Sequence, residues 1–224
     1  ALLLMAVGVS AQQRYNPTEE NLKNREEFQD MKFGVFIHWG IYSMMADGEW
    51  IMNNKNINHK EYATLANGFY PSKFSAAKWV SDVKVAGAKY ICITSRHHDG
   101  FSMFGTKQSP YNIVDATPFG RDILKELADE CHRQGIRLHF YYSLLDWKRA
   151  DYYPLGRTGK GVGRTEHGDW KTYHQFMLNQ LTELLTNYGE IGAIWFDGKW
   201  DQPDDFDWHL REIYDHIHSI QPGC

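Results

Sequence analysis

Long hydrophobic runs are missing from this sequence of 224 residues. Its longest uninterrupted apolar stretch, Ala1 to Val9, falls well short of the roughly 20 residues that cross a bilayer, so no membrane span is read here. The stretch looks instead like the apolar segment of a signal peptide, with Val9-Ser10-Ala11 as a small-residue cleavage site, and it predicts export to the periplasm or the exterior. No initiating Met and no basic segment precede it, so the sequence is expected to begin inside that signal. A positive charge excess is missing too. With 24 Lys and Arg against 28 Asp and Glu, the net charge of -4 supplies no basic face for nucleic acid, and no block of like charge forms a tail. Cysteine is scarce: Cys92, Cys131 and Cys224 make neither a disulfide framework nor a metal-ligand spacing. Cys92 falls in an apolar run and Cys131 on an apolar helix face, as small core residues do. No Cys stands at the cleavage point to carry a lipid anchor, and no Gly-rich phosphate loop follows the first strand pattern.

What the sequence does have is a core-forming composition, 42% hydrophobic and 23% charged, with 15% aromatic residues including 8 Trp and 13 Tyr. Trp and Tyr pair a flat apolar face with a polar tip, which complements a sugar's C–H patch ringed by hydroxyls. They serve equally well as core.

The pattern alternates along the chain. Apolar strand-like runs at 32–39, 89–95, 136–144 and 191–197 are each followed by helical periodicity, at about 74–86, 122–134, 170–188 and from Leu210 to near Pro222. Gly87, Gly135 and Gly189 end three of these helices. Continuous apolar strands alternating with amphipathic helices predict an α/β fold with a covered parallel sheet. Polar residues gather at the C-terminal end of every strand: His38 and Trp39, Arg96 to Asp99, Tyr142 and Ser143, and Asp197. In a (β/α)8 barrel that edge carries the active site. The expected fold is therefore a (β/α)8-like (TIM) barrel, of which about the first four strand–helix units are present. Residues 1–11 read as a signal remnant, 12–30 as an N-terminal extension, and 31–224 as the N-terminal half of the barrel. The connections 40–60 and 145–168 both leave the site edge, where long loops shape a substrate site.

Asp197 ends an apolar strand, where an unpaired carboxylate is costly unless it faces a polar cleft. A strand-end cap is the plainer reading of Asp197 taken alone. His97 and His98 are adjacent, so both meet one ligand only if the strand end bends, which Gly100 permits. With His38 and Asp197 they also form a candidate metal cluster. No acid or His lies two residues from His38, and no carboxylate ends the third strand, which weakens that alternative. Trp195 lies two residues before Asp197 and emerges on the same side of its strand, as a sugar wall or as core.

Taken in order, Lys-Phe-Gly-Val-Phe-Ile-His-Trp-Gly-Ile-Tyr-Ser (32–43), Gly-Glu-Trp (48–50), Arg-His-His-Asp-Gly-Phe (96–101), Tyr-Tyr-Ser (141–143) and Ile-Trp-Phe-Asp-Gly (194–198) resemble the α-L-fucosidases of glycoside hydrolase family 29. The resemblance runs from about Met31 to Gln221. It implies a (β/α)8-like catalytic domain followed by a β-sandwich, and a retaining mechanism through a covalent fucosyl-enzyme. It gives Asp197 as nucleophile, with His38, Glu49, Trp50, His97, His98, Tyr142 and Trp195 binding fucose hydroxyls or walling the ring. After Trp50 the pattern departs from the family: Ile51 stands where the family often has Tyr. No metal and no cofactor are expected, and the implied partner is a fucosylated glycan. The family's acid/base is implied to lie beyond Asp197, where only Glu212, within a helical pattern, is a Glu. Competing readings are a carbohydrate-binding protein without catalysis and a metal-dependent hydrolase using the His cluster.

Overall fold

A computed structural model describes residues 16–224; the apolar segment read as a signal lies outside the described residues. Among the described residues seven α-helices and four strands follow one another. Helix α1 (Glu19–Met31) precedes β1 (Gly34–Ile37). The first long connection then carries a 3-10 turn, Ile41–Met45, and two short helices, α2 (Ile51–Asn54) and α3 (His59–Ala63). A second 3-10 turn, Thr64–Gly68, leads to α4 (Ala76–Val85), β2 (Tyr90–Arg96), α5 (Ile123–Gln134), β3 (Arg137–Ser143), α6 (Trp170–Thr186), β4 (Ala193–Asp197) and α7 (Leu210–Ile220). The single-turn helices of the first connection fall below the length at which helical periodicity shows in a sequence. The long helices have sequence-encoded starts. Ser75, Asp122 and Asp169 accept the amides of Lys78, Lys125 and Lys171, and Gly135 takes the left-handed conformation at the end of α5.

All four strands are parallel, in the order β1-β2-β3-β4. An open doubly wound sheet reverses its winding at a switch point, and no such reversal occurs among the described strands. The sheet is strongly curved. In a flat sheet β1 and β4 would stand about 14 Å apart, three strand spacings. Here Phe36 of β1 meets Trp195 of β4 edge-on, with ring centroids 5.4 Å apart. One face carries Phe36, Thr94, Tyr141, Trp195 and Asp197, the last two paired in register with Tyr141 and Ser143. The other face, with Ile91, Ile93, Leu138 and Phe140, is buried beneath the helices. Cys92 and Cys131 are free and buried, and burial pushes both thiols up to about 12.

Helix α1 lies in the segment read as an extension. Its Phe28 packs on Tyr90 and His139, near the N-terminal ends of β2 and β3. Asn21 and Asn24 donate to the carbonyls of Cys224 and Gly223, each at 2.8 Å. No helix among the described residues is long and apolar enough to cross a membrane.

Candidate active site

A bulge at the end of β2 sets the geometry. Thr94 pairs with Tyr141 and Arg96 with Tyr142, so Ser95 is an extra residue. Strict alternation would put Arg96 on the same face as Thr94; the inserted residue sends it to the helix side. There its guanidinium is buried and bonds the Asp146 carboxylate, the Ser143 carbonyl (3.0 Å) and the Tyr173 hydroxyl (3.1 Å). His97 then returns to the concave face. A turn follows at once, with Gly100 N–H donating to His97 O at 3.0 Å and Gly100 at φ +78°. This bend brings the rings of His97 and His98 to within 4.2 Å, and His38 joins them 5.4 Å from His97.

Asp197 closes the group from β4, its side chain 31% exposed. Oδ1 accepts from Gly198 N (2.7 Å) and Trp200 Nε1 (3.0 Å), and Oδ2 accepts from Tyr141 Oη (2.8 Å). His98 Nε2 stands 3.5 Å from Oδ2, too far for a good hydrogen bond. Burial holds all three imidazoles below their ordinary range. His98 falls to about 3, with the Arg96 cation adding to the effect; His97 is also well depressed, its neighbours His98 and His38 contributing. For His38, at the mouth, desolvation outweighs the opposing fields of Glu49 and Asp197. Neutral imidazoles suit uncharged hydroxyls rather than anions. Behind them, burial raises the Asp99 carboxyl to about 6, although Phe101 N and Tyr62 Oη donate to it.

Trp50 stacks on Trp200 (5.4 Å, 22°) and meets His98 and Trp147 edge-on, forming an aromatic wall beside the carboxylate. The wall is pinned by Asp201, which accepts from Tyr152 Oη (2.6 Å), Thr158 N (2.8 Å) and Thr158 Oγ1 (2.7 Å), while Trp147 Nε1 donates to Thr158 Oγ1. The second long connection is thereby tied to the loop after β4.

The structure brings together His38, Trp50, His97, His98 and Asp197. Glu49 is half-buried nearby, close enough for its field to reach His38 and Tyr141. Trp195 lies on the same face, one step down the strand from Asp197 and 56% exposed. Tyr142 is a correction. It is fully buried on the helix side, its hydroxyl donating to Gln180 Oε1 at 2.8 Å, because the pleat of β3 turns its neighbour Tyr141 to the site instead. The alternation Leu138-Phe140-Tyr142 against His139-Tyr141-Ser143 is a sequence signal that separates the two tyrosines. Nothing in the local pattern marks Trp147 or Trp200. Glu212 lies exposed on α7. Among the described residues, no group of three or more His, Cys, Asp or Glu is arranged to hold a metal ion.

Comparison with known proteins gives the family and the fold. The sequence model of the family described as alpha-L-fucosidase matches residues 2–224. An alpha-L-fucosidase of Dictyostelium discoideum is 29% identical over 243 residues, covering 97% of this chain and 51% of its own length. Among solved structures, alpha-L-fucosidase isoenzyme 1 from Paenibacillus thiaminolyticus superposes with a TM-score of 0.84 at 34% identity, over 91% of this chain and 49% of that one. Alpha-L-fucosidase AlfC from Lactobacillus casei, in complex with alpha-L-fucose product, gives 0.80 at 34% identity, over 90% and 69%. The chain thus spans about half the length of the first two relatives. Matched over nearly its whole length, the chain belongs to the alpha-L-fucosidase family.

Proposed function

We propose that this chain is the nucleophile-bearing half of an exported, exo-acting, retaining α-L-fucosidase that releases terminal fucose from glycans. The observation that carries the reading is Asp197: a partly exposed carboxylate on a strand end, flanked by Tyr141 and by neutral histidines. A retaining hydrolase needs such a carboxylate and a second carboxyl group about 5–5.5 Å away. In the first step Asp197 attacks the anomeric carbon, the bond to the leaving oxygen breaks, and the acid protonates that oxygen. In the second, water deprotonated by the same group attacks the fucosyl-enzyme ester and Asp197 leaves. We place the acid/base outside this chain, which on this reading is inactive by itself, and we take the curved sheet to be part of a closed (β/α)8-like barrel. His38, His97 and His98 supply hydrogen bonds that a sugar lacking the matching hydroxyl leaves unpaired.

The test is Asp197→Gly in the full-length protein. Hydrolysis of an aryl α-L-fucoside falls by several orders of magnitude, since both the charge facing the oxocarbenium-like transition state and the bonding atom are gone. Added azide restores turnover and yields the β-fucosyl azide. Near-normal activity without azide would make Asp197 a structural strand end and refute the reading.

A further inference from the structure

Ser143 ends β3 in register with Asp197 and is completely buried. Its Oγ lies 2.6 Å from the Leu145 carbonyl oxygen and 2.7 Å from His98 Nδ1. A hydroxyl has one proton and a carbonyl oxygen has none. If Ser143 donated to the imidazole, two bare oxygens would face each other at 2.6 Å. The proton must therefore point to Leu145, which leaves Oγ as acceptor and requires a proton on Nδ1. A neutral imidazole protonated at Nδ1 carries its lone pair on Nε2. That nitrogen is buried, has no hydrogen-bond partner, and stands 3.5 Å from Asp197 Oδ2. Two acceptors facing each other at that distance repel, which a hydroxyl donating to Nε2 from beside the pair relieves.

We propose that Ser143 is a positioning residue that locks His98 in its Nδ1–H tautomer, so that Nε2 meets the substrate only as an acceptor and selects a hydroxyl able to donate beside the nucleophile. The proposal rests on the fucosidase reading for the identity of the sugar, but not for the tautomer. It gives the site a polarity that a bare His–sugar contact lacks. Fluorine at the selected position, which accepts weakly and cannot donate, is rejected as strongly as hydrogen. With Ser143→Ala the lock is gone. The Nε2–H form becomes available, donating to Asp197 or to an acceptor on the ligand, and the preference for a donating hydroxyl relaxes.

Two measurements on the full-length protein test this. Nitrogen-15 NMR of labelled histidine, with the His98 signal assigned by its loss in His98→Asn, reports the tautomer without any ligand. The expected result at neutral pH is a protonated Nδ1 and a bare Nε2; a protonated Nε2 in the wild type overturns the proposal even if Ser143→Ala does not fold. A protein with the expected tautomer but no fucosidase activity keeps the lock and loses only the fucosidase reading. The second measurement is inhibition by the monodeoxy and monodeoxyfluoro forms of L-fucose. At one ring position both are expected to bind wild type worse than fucose by on the order of ten- to a hundredfold. In Ser143→Ala the fluoro compound should regain affinity over the deoxy compound at that position, a change of order that general loosening of the site does not produce. An unchanged order in Ser143→Ala, or fluoro binding better than deoxy at every position in the wild type, overturns it.

Discussion

Three uncharged imidazoles around one carboxylate make the site responsive to acid. In the folded protein His98 resists protonation until about 3, against an ordinary value of 6.5. The unfolded chain therefore takes up this proton first. The contribution of His98 to stability is whole above pH 6.5 and is lost progressively as the pH falls towards 3. His97 acts in the same direction. Asp99 opposes them: its folded carboxyl titrates near 6 instead of 3.8, so its contribution is whole below 3.8 and fades as the pH rises through 6. Comparing wild type with His98→Asn at each pH cancels the Asp99 effect. The urea midpoint of the wild type should fall more steeply below pH 6.5 than that of the variant; parallel curves would show that His98 does not carry the dependence. Legibility at this scale followed the pleat. Asp197, His38, His97 and His98 stand at strand ends, where polar residues interrupt apolar runs, and could be picked out from the sequence. Tyr141 could not be told from Tyr142 without applying the two-residue period to β3. Trp200 takes its place in the wall through its stack on Trp50, a tertiary contact that no spacing encodes.

The element that aims the two histidines is the end of β2, where a bulge and a tight turn act together. Gly100 is the critical position. Its φ of +78° is strained for any other residue, and a Cβ there would lie 2.8 Å from Asp146 Oδ2, the carboxylate that holds Arg96. Gly100→Ala is expected to destabilise the full-length protein by about 1–3 kcal/mol, through the conformational penalty and the displaced ion pair. It should also raise KM more than it lowers kcat, because His97 and His98 lose their shared orientation. Urea unfolding and steady-state kinetics measure both; unchanged values would mean that the turn is held by other contacts. The strands and long helices were readable because their periodicity and caps are local. The bulge was not, since it is defined only by the register of β2 against β3.

Across the whole molecule, the sheet has two unpaired edges among the described residues, β1 and β4. Its concave face leaves Phe36 40% and Trp195 56% exposed. A cavity of about 560 Å³ runs along β4 between α1 and α7, lined by Phe28, Ile194, Phe196, Ile217 and Cys224 among others. Open strand edges and apolar surface of this kind promote association. The 224 residues expressed alone should therefore self-associate in light scattering and unfold without a sharp transition. A soluble monomer with a cooperative melt would contradict this. The parallel order of the sheet followed from the alternation of elements, whereas its curvature depends on how side chains from β1 and β4 meet across the bend. The bonds from Asn21 and Asn24 to the residues after α7 bear on how the molecule assembles in time. They join positions 203 and 199 residues apart, whereas each strand pairs with a neighbour brought in by the intervening helix. Closing so long a loop costs more entropy than closing any single strand–helix–strand unit. Phe28 can settle on β2 and β3 as soon as these exist, but the two asparagine bonds close late in folding, once β4 and α7 are in place, and on a ribosome they have to wait until nearly the whole of this stretch has emerged.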